Sequence, residues 1–302
     1  MILLCFFPHT VIRYMPSPKN LLLSRWQEHR KRTFRLLPEW RLTSIEQARH
    51  YVNERGFIFF WPVKGVDLPS LWVATAGDRP VPNEHDDPGH ITWDWKDQAL
   101  GKRWWYYAKV LRRKATLISL EILPYFYALS ENYGDMAHDH LEAYEAGRLT
   151  IAARNIYEAL LREGALDSLS LRRASGLSRA RDSEWQRALE DLQADFKILP
   201  VGIAQAGAWH YAFIYDLTLR HYPQLAALAR PIGEAEARRR LLKVYLESVG
   251  AVPPTMAQKL FGWSPPIFQR TVRSLIEQGE ICYALHPQRA EEWLALPSLG
   301  ED

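Results

Sequence analysis

The sequence contains little cysteine and no long apolar run, and each absence excludes classes of protein. The two cysteines, Cys5 and Cys282, are far apart and form neither a CxxC redox motif nor a metal-ligand set, which is typical of a reducing compartment. The apolar stretch at residues 1–7 is too short to span a bilayer and lacks the basic flank of a signal peptide. We therefore expect a cytoplasmic protein without a membrane segment, and Met15 is an alternative start to Met1.

Motifs of several familiar enzyme chemistries are also missing. The chain has no HExxH zinc motif, no glycine-rich phosphate loop and no nucleophile elbow. Two short clusters contain metal-ligand side chains, but neighbouring residues rarely converge on one ion. The clusters are His85, Asp86, Asp87 and His90, and His138, Asp139 and His140. We predict neither a metal nor a cofactor.

The charge balance of the chain is mild. The formal net charge is +3 and the isoelectric point is near 8.8, so affinity for nucleic acid would have to come from local basic patches. At 302 residues the chain is long enough for two or three domains with cores of their own.

An internal repeat is the most informative feature that the sequence does contain. A shift of 86 residues places Gly164 on Gly250 and Gly176 on Gly262, and beyond Ser264 the shift becomes 83. Both copies predict three helices followed by a β-hairpin, the order of a winged helix-turn-helix. In that motif the third helix enters a DNA groove. The alternative is a three-helix bundle with hairpins that binds no DNA.

In the middle copy, an apolar stripe with helical spacing runs from Ala152 to Leu161 and ends at Gly164. Asp167 or Ser168 caps the predicted second helix, and Trp185 begins the buried face of the third. Segments 196–204 and 209–215 form the candidate wing. In the C-terminal copy the apolar face of the first helix runs from Leu241 to Val249, the second helix spans Thr255 to Phe261, and the third follows a Ser264-Pro265 cap.

The N-terminal third has a weaker pattern of the same kind. The segment at 17–35 is basic, and it either contacts phosphates or forms a solvated helix face. A helix is predicted at 44–55 and stops at Gly56. An apolar strand follows, and then a short helix capped by Asp67. Two strands at 103–111 and 115–120 predict a hairpin with a basic tip of Arg112, Arg113 and Lys114. A hairpin that inserts into a DNA groove needs such a basic tip, but exposed hairpin tips that bind no DNA carry basic residues as well.

The expected fold is therefore α+β: tandem winged helix-turn-helix domains with small β-hairpin wings. We place an N-terminal extension and basic arm at 1–37 and a winged-helix-like domain at 38–135. The middle winged-helix domain is placed at 136–230, and the C-terminal one at 231–302.

This organisation resembles the crosslink-repair DNA glycosylase family of the AlkZ/YcaQ type. The resemblance covers roughly residues 40–290, and the segment GFIFFW at 56–61, with Leu71 and Trp72, is similar to the family's active-site segment. The texts WDWKD at 93–97 and ILPVG at 198–202 are similar to a shorter branch of that family. The resemblance implies double-stranded DNA as the partner.

The departure from the family pattern concerns the catalytic residues. The resemblance implies a Gln-x-Gln or Gln-x-Asp pair that holds the attacking water, but this chain has Phe59 and Trp61 there. Phenylalanine has no polar atom and tryptophan has only a donor, so neither can activate water. Whether the protein is an enzyme is left open. The nearest carboxylate downstream, Asp67, is a weak catalytic candidate and is better explained as a helix cap.

Two further groups are candidates for contact with DNA. Trp93 and Trp95 can stack on an extruded base, or they fill a core between alternating strands. Four arginines at the second helix and the head of the third in the middle copy are expected to contact phosphates. They are Arg172, Arg173, Arg179 and Arg181.

We therefore expect a DNA-binding protein that recognises damaged or distorted duplex, with doubtful glycosidase activity, acting as a monomer in the cytoplasm on the nucleoid. A regulator usually needs a dimer to read two half-sites, whereas three winged helices in one chain can surround DNA. The alternatives are a winged-helix transcriptional regulator and a protein-interaction module without DNA binding.

Overall fold

The computed structural model describes residues 19–84, 86–207, 210–289 and 291–300. The predictions for residues 1–18, including the alternative start, and for His85 lie outside these ranges. The fold is a mixture of helices and small, mostly antiparallel sheets, which confirms the α+β class. Within the described ranges, no helix has the length and apolar character needed to cross a membrane.

The helices follow one another with short connections. They are α1 Leu23–Thr33, α2 Ile45–Arg55, α3 Leu71–Ala76, α4 Ile91–Ala99, α5 Leu123–Tyr127, α6 Asp139–Glu145, α7 Ile151–Glu163, α8 Ser168–Ala174, α9 Asp182–Ala194, α10 Thr218–His221, α11 Leu225–Ala229, α12 Glu234–Val249, α13 Pro254–Phe261 and α14 Pro265–Glu277. The strands are β1 Lys19–Asn20, β2 Phe57–Phe59, β3 Tyr106–Lys109, β4 Ala115–Ile118, β5 Leu166–Asp167, β6 Ile198–Ala204, β7 Ala212–Leu217, β8 Ala251–Val252, β9 Cys282–His286 and β10 Glu291–Ala295.

One order of elements occurs three times along the chain. Each unit has a helix, a short strand, two further helices and two antiparallel strands. The last strand of each unit lies between the other two, which gives the sheet orders β2-β4-β3, β5-β7-β6 and β8-β10-β9. We call these the first unit (α2 to β4), the middle unit (α7 to β7) and the C-terminal unit (α12 to β10). The helices and hairpins predicted for the two copies of the repeat are present.

Local chemistry explains several of the helix ends. Thr150 Oγ1 accepts from the Ala153 N–H at the start of α7, and Asp167 caps α8 by accepting from two N–H groups at 3.0 Å. Gly56 ends α2 with a φ of 75°, and a Cβ there would lie 2.6 Å from Val244 Cγ1 of α12. Glycine therefore allows both the turn and the close approach of the first unit to the C-terminal unit.

Two predictions about local structure in the first unit are wrong. Asp67 does not cap α3, because the helix begins later and Ser70 Oγ accepts from the Val73 N–H at 3.2 Å. Trp93 and Trp95 do not lie on alternating strands, since residues 91–99 form helix α4. The run of aromatic and charged residues at 93–97 therefore has a helical rather than a strand periodicity.

The N-terminal basic segment packs on the C-terminal unit. Strand β1 pairs in parallel with β9, and Trp26 Nε1 of α1 donates to the Val249 carbonyl oxygen at 3.0 Å. The Trp26 ring also packs edge-on against Trp293, with ring centroids 5.3 Å apart. The inner face of α1 is thus a packing face, and two of the basic residues of α1 also have partners: His29 contacts the Glu247 carbonyl oxygen, and Arg30 pairs with Asp67.

The hydrophobic cores divide unequally among the units. One large core combines side chains of the first unit, such as Phe57, with those of the C-terminal unit, such as Val272, and includes Phe196 from the middle unit. A second core lies wholly within residues 143–217 and contains Trp185 and Leu192. A third core, with Trp95 and Trp105, belongs to the first unit. The first and C-terminal units are therefore fused through one core, while the first and middle units each also have a core of their own.

Candidate nucleic-acid interface

The two residues at the catalytic positions of the resemblance have different environments. Phe59 ends β2, pairs with Thr116 and donates its N–H to the Pro69 carbonyl oxygen at 2.9 Å. Its side chain is fully buried in the large core. Trp61 lies two residues further on, beyond the strand, and is 36% exposed. Of the two, only Trp61 presents a surface to a ligand.

Trp61 is part of a small aromatic surface that joins two units. Its ring lies 5.4 Å from that of Trp93 on α4, and the Trp93 ring lies 6.2 Å from that of Tyr211, just before β7 of the middle unit. Trp93 is half-buried and Tyr211 is 36% exposed. Trp95, the other predicted stacking residue, is only 4% exposed and packs in the core of the first unit. We call Trp61, Trp93 and Tyr211 the aromatic surface.

A buried lysine lies behind this surface. Lys96 is 1% exposed, and its Nζ is 2.5 Å from Asp97 Oδ1 and 2.7 Å from the Tyr211 hydroxyl oxygen. Five aromatic rings surround the ammonium, with centroids between 4.6 and 6.0 Å from Nζ. Burial lowers the pKa of Lys96, and the Asp97 carboxylate opposes that shift. The cluster fixes the position of Tyr211 against α4.

This cluster was missed at the sequence level. The text WDWKD brings tryptophan, lysine and aspartate together, but four of the five rings come from outside α4: Phe60, Tyr107, Tyr211 and Phe213. The Tyr211 hydroxyl also donates to Asp97 Oδ1 at 2.9 Å. Contacts across more than 100 residues of chain have no local signal that could have predicted them.

Asp67, the weak catalytic candidate, is held in an ion pair. Both of its carboxylate oxygens accept from the Arg30 guanidinium, at 2.6 and 2.7 Å. Arg30 belongs to α1 and also lies over the Phe34 ring, 4.3 Å from its centroid. This bidentate contact attaches α1 to the loop after β2, which is the observed role of Asp67.

The basic hairpin tip lies where the three units meet. Arg113 donates to Asp191 Oδ1 of α9 at 2.5 and 2.8 Å, and Arg112 donates to the Lys259 carbonyl oxygen of α13 at 3.2 Å. Both arginines have left-handed backbone conformations, with φ near 55° and 52°. Lys114 is exposed. Two of the three predicted DNA contacts therefore also tie the units together, and Lys114 is the tip residue with the freest side chain.

The four arginines of the middle unit that were predicted to contact phosphates differ in their partners within the protein. Arg172 is partly buried and donates to the carbonyl oxygens of Leu177 and Ala180 and to Asp182 Oδ1. Arg173 is exposed and donates to Ser170 Oγ at 3.1 Å. Arg179 and Arg181 are exposed, and no carboxylate among the described residues forms an ion pair with either. These two are the cations best placed to bind phosphate.

The fold and this surface define a protein made of three similar α+β units. A family model described as AlkZ-related matches residues 42–262, well over half of the chain, and the protein belongs to that family. Among solved structures, the chain is similar to the Streptomyces sahachiroi DNA glycosylase AlkZ, with a TM-score of 0.57 and 14% identity. That match covers 92% of this chain and 71% of the other. No curated protein matched the sequence.

Proposed function

We propose that the protein is a tandem winged-helix protein that binds duplex DNA and recognises damaged or distorted sites. The observation that carries the proposal is the threefold repetition of one element order, with the last strand central in each sheet, in a chain of the AlkZ-related family. A helix, a strand, two helices and a β-hairpin in that sheet order is the arrangement of a winged helix. Three such units in one chain allow a monomer to contact an extended stretch of DNA, in the cytoplasm on the nucleoid.

Base excision by the family's water-positioning mechanism is not part of the proposal. Phe59 is fully buried and has no polar atom, and Trp61 offers only an N–H donor. Removal of a single catalytic polar contact commonly slows a reaction by about two to three orders of magnitude, and both contacts are replaced here. We expect recognition without cleavage.

The aromatic surface supplies a way to recognise distortion. Bases that are unstacked or extruded expose their faces, and aromatic side chains bind such faces with little dependence on sequence. Trp61 and Tyr211 are the exposed edges of the surface, and Asp97 beneath them is 16% exposed in its side chain. Intact duplex presents no free base face, so this surface favours distorted DNA.

Binding through phosphates is tested with the two exposed arginines. The double variant Arg179→Ala, Arg181→Ala should weaken binding to a fluorescent duplex and reduce the slope of log affinity against log salt by about 2, since each phosphate contact contributes about 0.9. The control is Lys31→Ala, Arg240→Ala, which removes the same charge from residues that pair with Glu28 and Glu121. An unchanged slope in the first variant would remove this loop from the DNA surface.

Recognition and chemistry are separated in a second pair of measurements. Parent protein should bind a duplex with an abasic site or bulge more tightly than a matched intact duplex, and Trp61→Ala should lose that preference while keeping intact-duplex affinity. At enzyme excess on duplex with N7-alkylguanine, we expect no abasic sites above the spontaneous rate. Excision above that rate contradicts the proposed absence of cleavage. Preference for one undamaged sequence favours a regulator, and absence of DNA binding favours a protein-interaction module.

A further inference from the structure

A cavity of about 560 Å³ lies at the junction of the three units, apart from the aromatic surface. Its walls come from the hairpin tip of the first unit, the segment after α5, the end of α9, and helices α12 and α13. A volume of this size is within the range of small-molecule sites. Because all three units contribute, the cavity exists only in the assembled fold.

The charged groups of the cavity are unbalanced. Four cationic side chains line it, whereas its carboxylates are Glu131 and Asp195. Glu131 pairs with one of the four, Arg148, at the cavity wall. The cations are Arg112, Arg148, Lys197 and Arg238. Arg238 pairs with Glu234 outside the cavity lining, which leaves Arg112 and Lys197 against Asp195. The excess of one positive charge favours an anion.

Lys197 gives the clearest evidence for an anion site. It is only 6% exposed, and its Nζ donates to the neutral amide oxygen of Asn132. No carboxylate among the described residues is within ion-pair distance of its Nζ, and Asp139 accepts from the N–H groups of residues 133–135. Desolvation lowers the pKa of Lys197, and Asp195 and Asp139 oppose this from a distance. A buried ammonium without a counterion is costly, and a bound anion removes that cost.

Two further features describe the rest of the ligand. Arg238 pairs with Glu234 at 2.8 Å, but its Nε is buried and has no hydrogen-bond partner among the described residues. The Phe261 and Trp263 rings are stacked with centroids 4.4 Å apart and an interplanar angle of 13°. Both rings line the cavity, and a stacked aromatic pair is a platform for another flat ring.

We propose that this cavity binds a nucleotide, with its phosphate at Lys197, Arg148 and Arg238 and its base against Trp263. The nucleotide is free or belongs to a DNA strand, and both sources present the same phosphate and base. The proposal goes beyond the function proposed above, because neither Arg179 nor the aromatic surface lines the cavity.

The test titrates full-length protein with deoxyadenosine monophosphate, deoxyadenosine and inorganic phosphate, with the melting temperature and the tryptophan fluorescence as readouts. We expect the nucleotide to bind about tenfold or more tightly than either fragment. Lys197→Met should weaken nucleotide binding by about tenfold or more, and Trp263→Leu should reduce it to the level of phosphate. Lys109→Met, at a lysine outside the cavity that pairs with Glu190, is the control and should bind as the parent does.

The outcomes separate this proposal from the one on duplex binding. Lys197→Met removes a buried cation, so this variant should fold in the absence of ligand. Trp263→Leu tests the base-binding part of the cavity independently of Lys197. No binding of the nucleotide, equal binding of phosphate alone, or unchanged binding by Lys197→Met each overturns the proposal, whatever the duplex assay shows. A 5′-phosphorylated single strand that binds at least as tightly as the mononucleotide and competes with it identifies a DNA strand as the source; weaker binding identifies a free nucleotide.

Discussion

The middle and C-terminal units share one order of elements but differ in how their second and third helices are connected. In the middle unit the connection comprises residues 175–181, whereas in the C-terminal unit it comprises only 262–264. The longer loop holds Arg179 and Arg181 in solvent, and Arg172 fixes it by hydrogen bonds. At the same place the C-terminal unit has Ser264 and two prolines.

The two units also differ in their hydrophobic cores. The core of the middle unit lies within residues 143–217, whereas the C-terminal unit packs its helices into a core that it shares with the first unit. The C-terminal unit is therefore part of a shared scaffold, whereas the middle unit has a separate core and an exposed basic loop. Two cavity-forming variants test this division most strongly.

Leu160→Ala and Leu246→Ala should each lower the free energy of unfolding by about 2–5 kcal/mol, because both side chains are fully buried and leave a cavity. Their hydrogen-exchange patterns should differ. Leu160→Ala should speed exchange mainly in the middle unit, and Leu246→Ala in both the first and C-terminal units. Leu160→Met is the volume-conserving control. Equal spread of both effects over the whole chain would show that the middle unit is not separate.

The repeat was predictable because its signals are local. Helical spacing of apolar residues, the cap at Asp167, and the glycines that end α7 and α12 all act within a few residues of chain. The docking of α1 on the C-terminal unit and the ion pair of Asp67 with Arg30 were not predictable. They depend on surfaces that meet only after the units have formed.

The candidate site also has features that the sequence predicts and features that it does not. The replacement of the family's polar pair was visible at Phe59 and Trp61, but the burial of one and the exposure of the other follow from where β2 ends. The loop arginines were found from charge alone, and charge could not separate Arg172, which is committed to the loop, from Arg179 and Arg181. Hydrogen-bond partners decide which cation remains for a ligand.

The second prediction concerns Arg172, which fixes the loop. Its replacement should lower stability by less than the two leucine variants do. Arg172→Met removes three hydrogen bonds, each worth about 1 kcal/mol or less in a partly exposed position, so we expect a loss of about 1–2 kcal/mol in stability. Amide exchange should rise in residues 175–181, and duplex affinity should fall because Arg179 and Arg181 lose their fixed positions. Arg173→Met, on the same helix with one exposed hydrogen bond, should change stability far less. Similar losses of stability in both variants would contradict the role of Arg172 in fixing the loop.

The smallest expected difference is in pH dependence, and it concerns one histidine beside each core. His140 stacks on Tyr157 of the middle unit with centroids 4.5 Å apart, and His29 of α1 is hydrogen-bonded to the Glu247 carbonyl oxygen of the C-terminal unit at 3.1 Å. Burial lowers the pKa of both below the ordinary value of 6.5. The carbonyl opposes this for His29, and Glu158 opposes it for His140.

A lowered histidine pKa makes the unfolded chain bind protons first as the pH falls below 6.5. Stability should therefore be unaffected by these groups above that pH and should decrease below it, until the folded-state pKa is reached. His140 Nδ1 is buried without a hydrogen-bond partner among the described residues, so the neutral ring can be replaced by an apolar one. In melting curves between pH 8 and 5, His140→Phe should lose part of the decrease. His29→Phe should lose the same pH-dependent part at its site but also a backbone hydrogen bond, which lowers its stability at every pH. An acid decrease that is identical in parent and His140→Phe would show that this ring is protonated equally in the folded and unfolded chains.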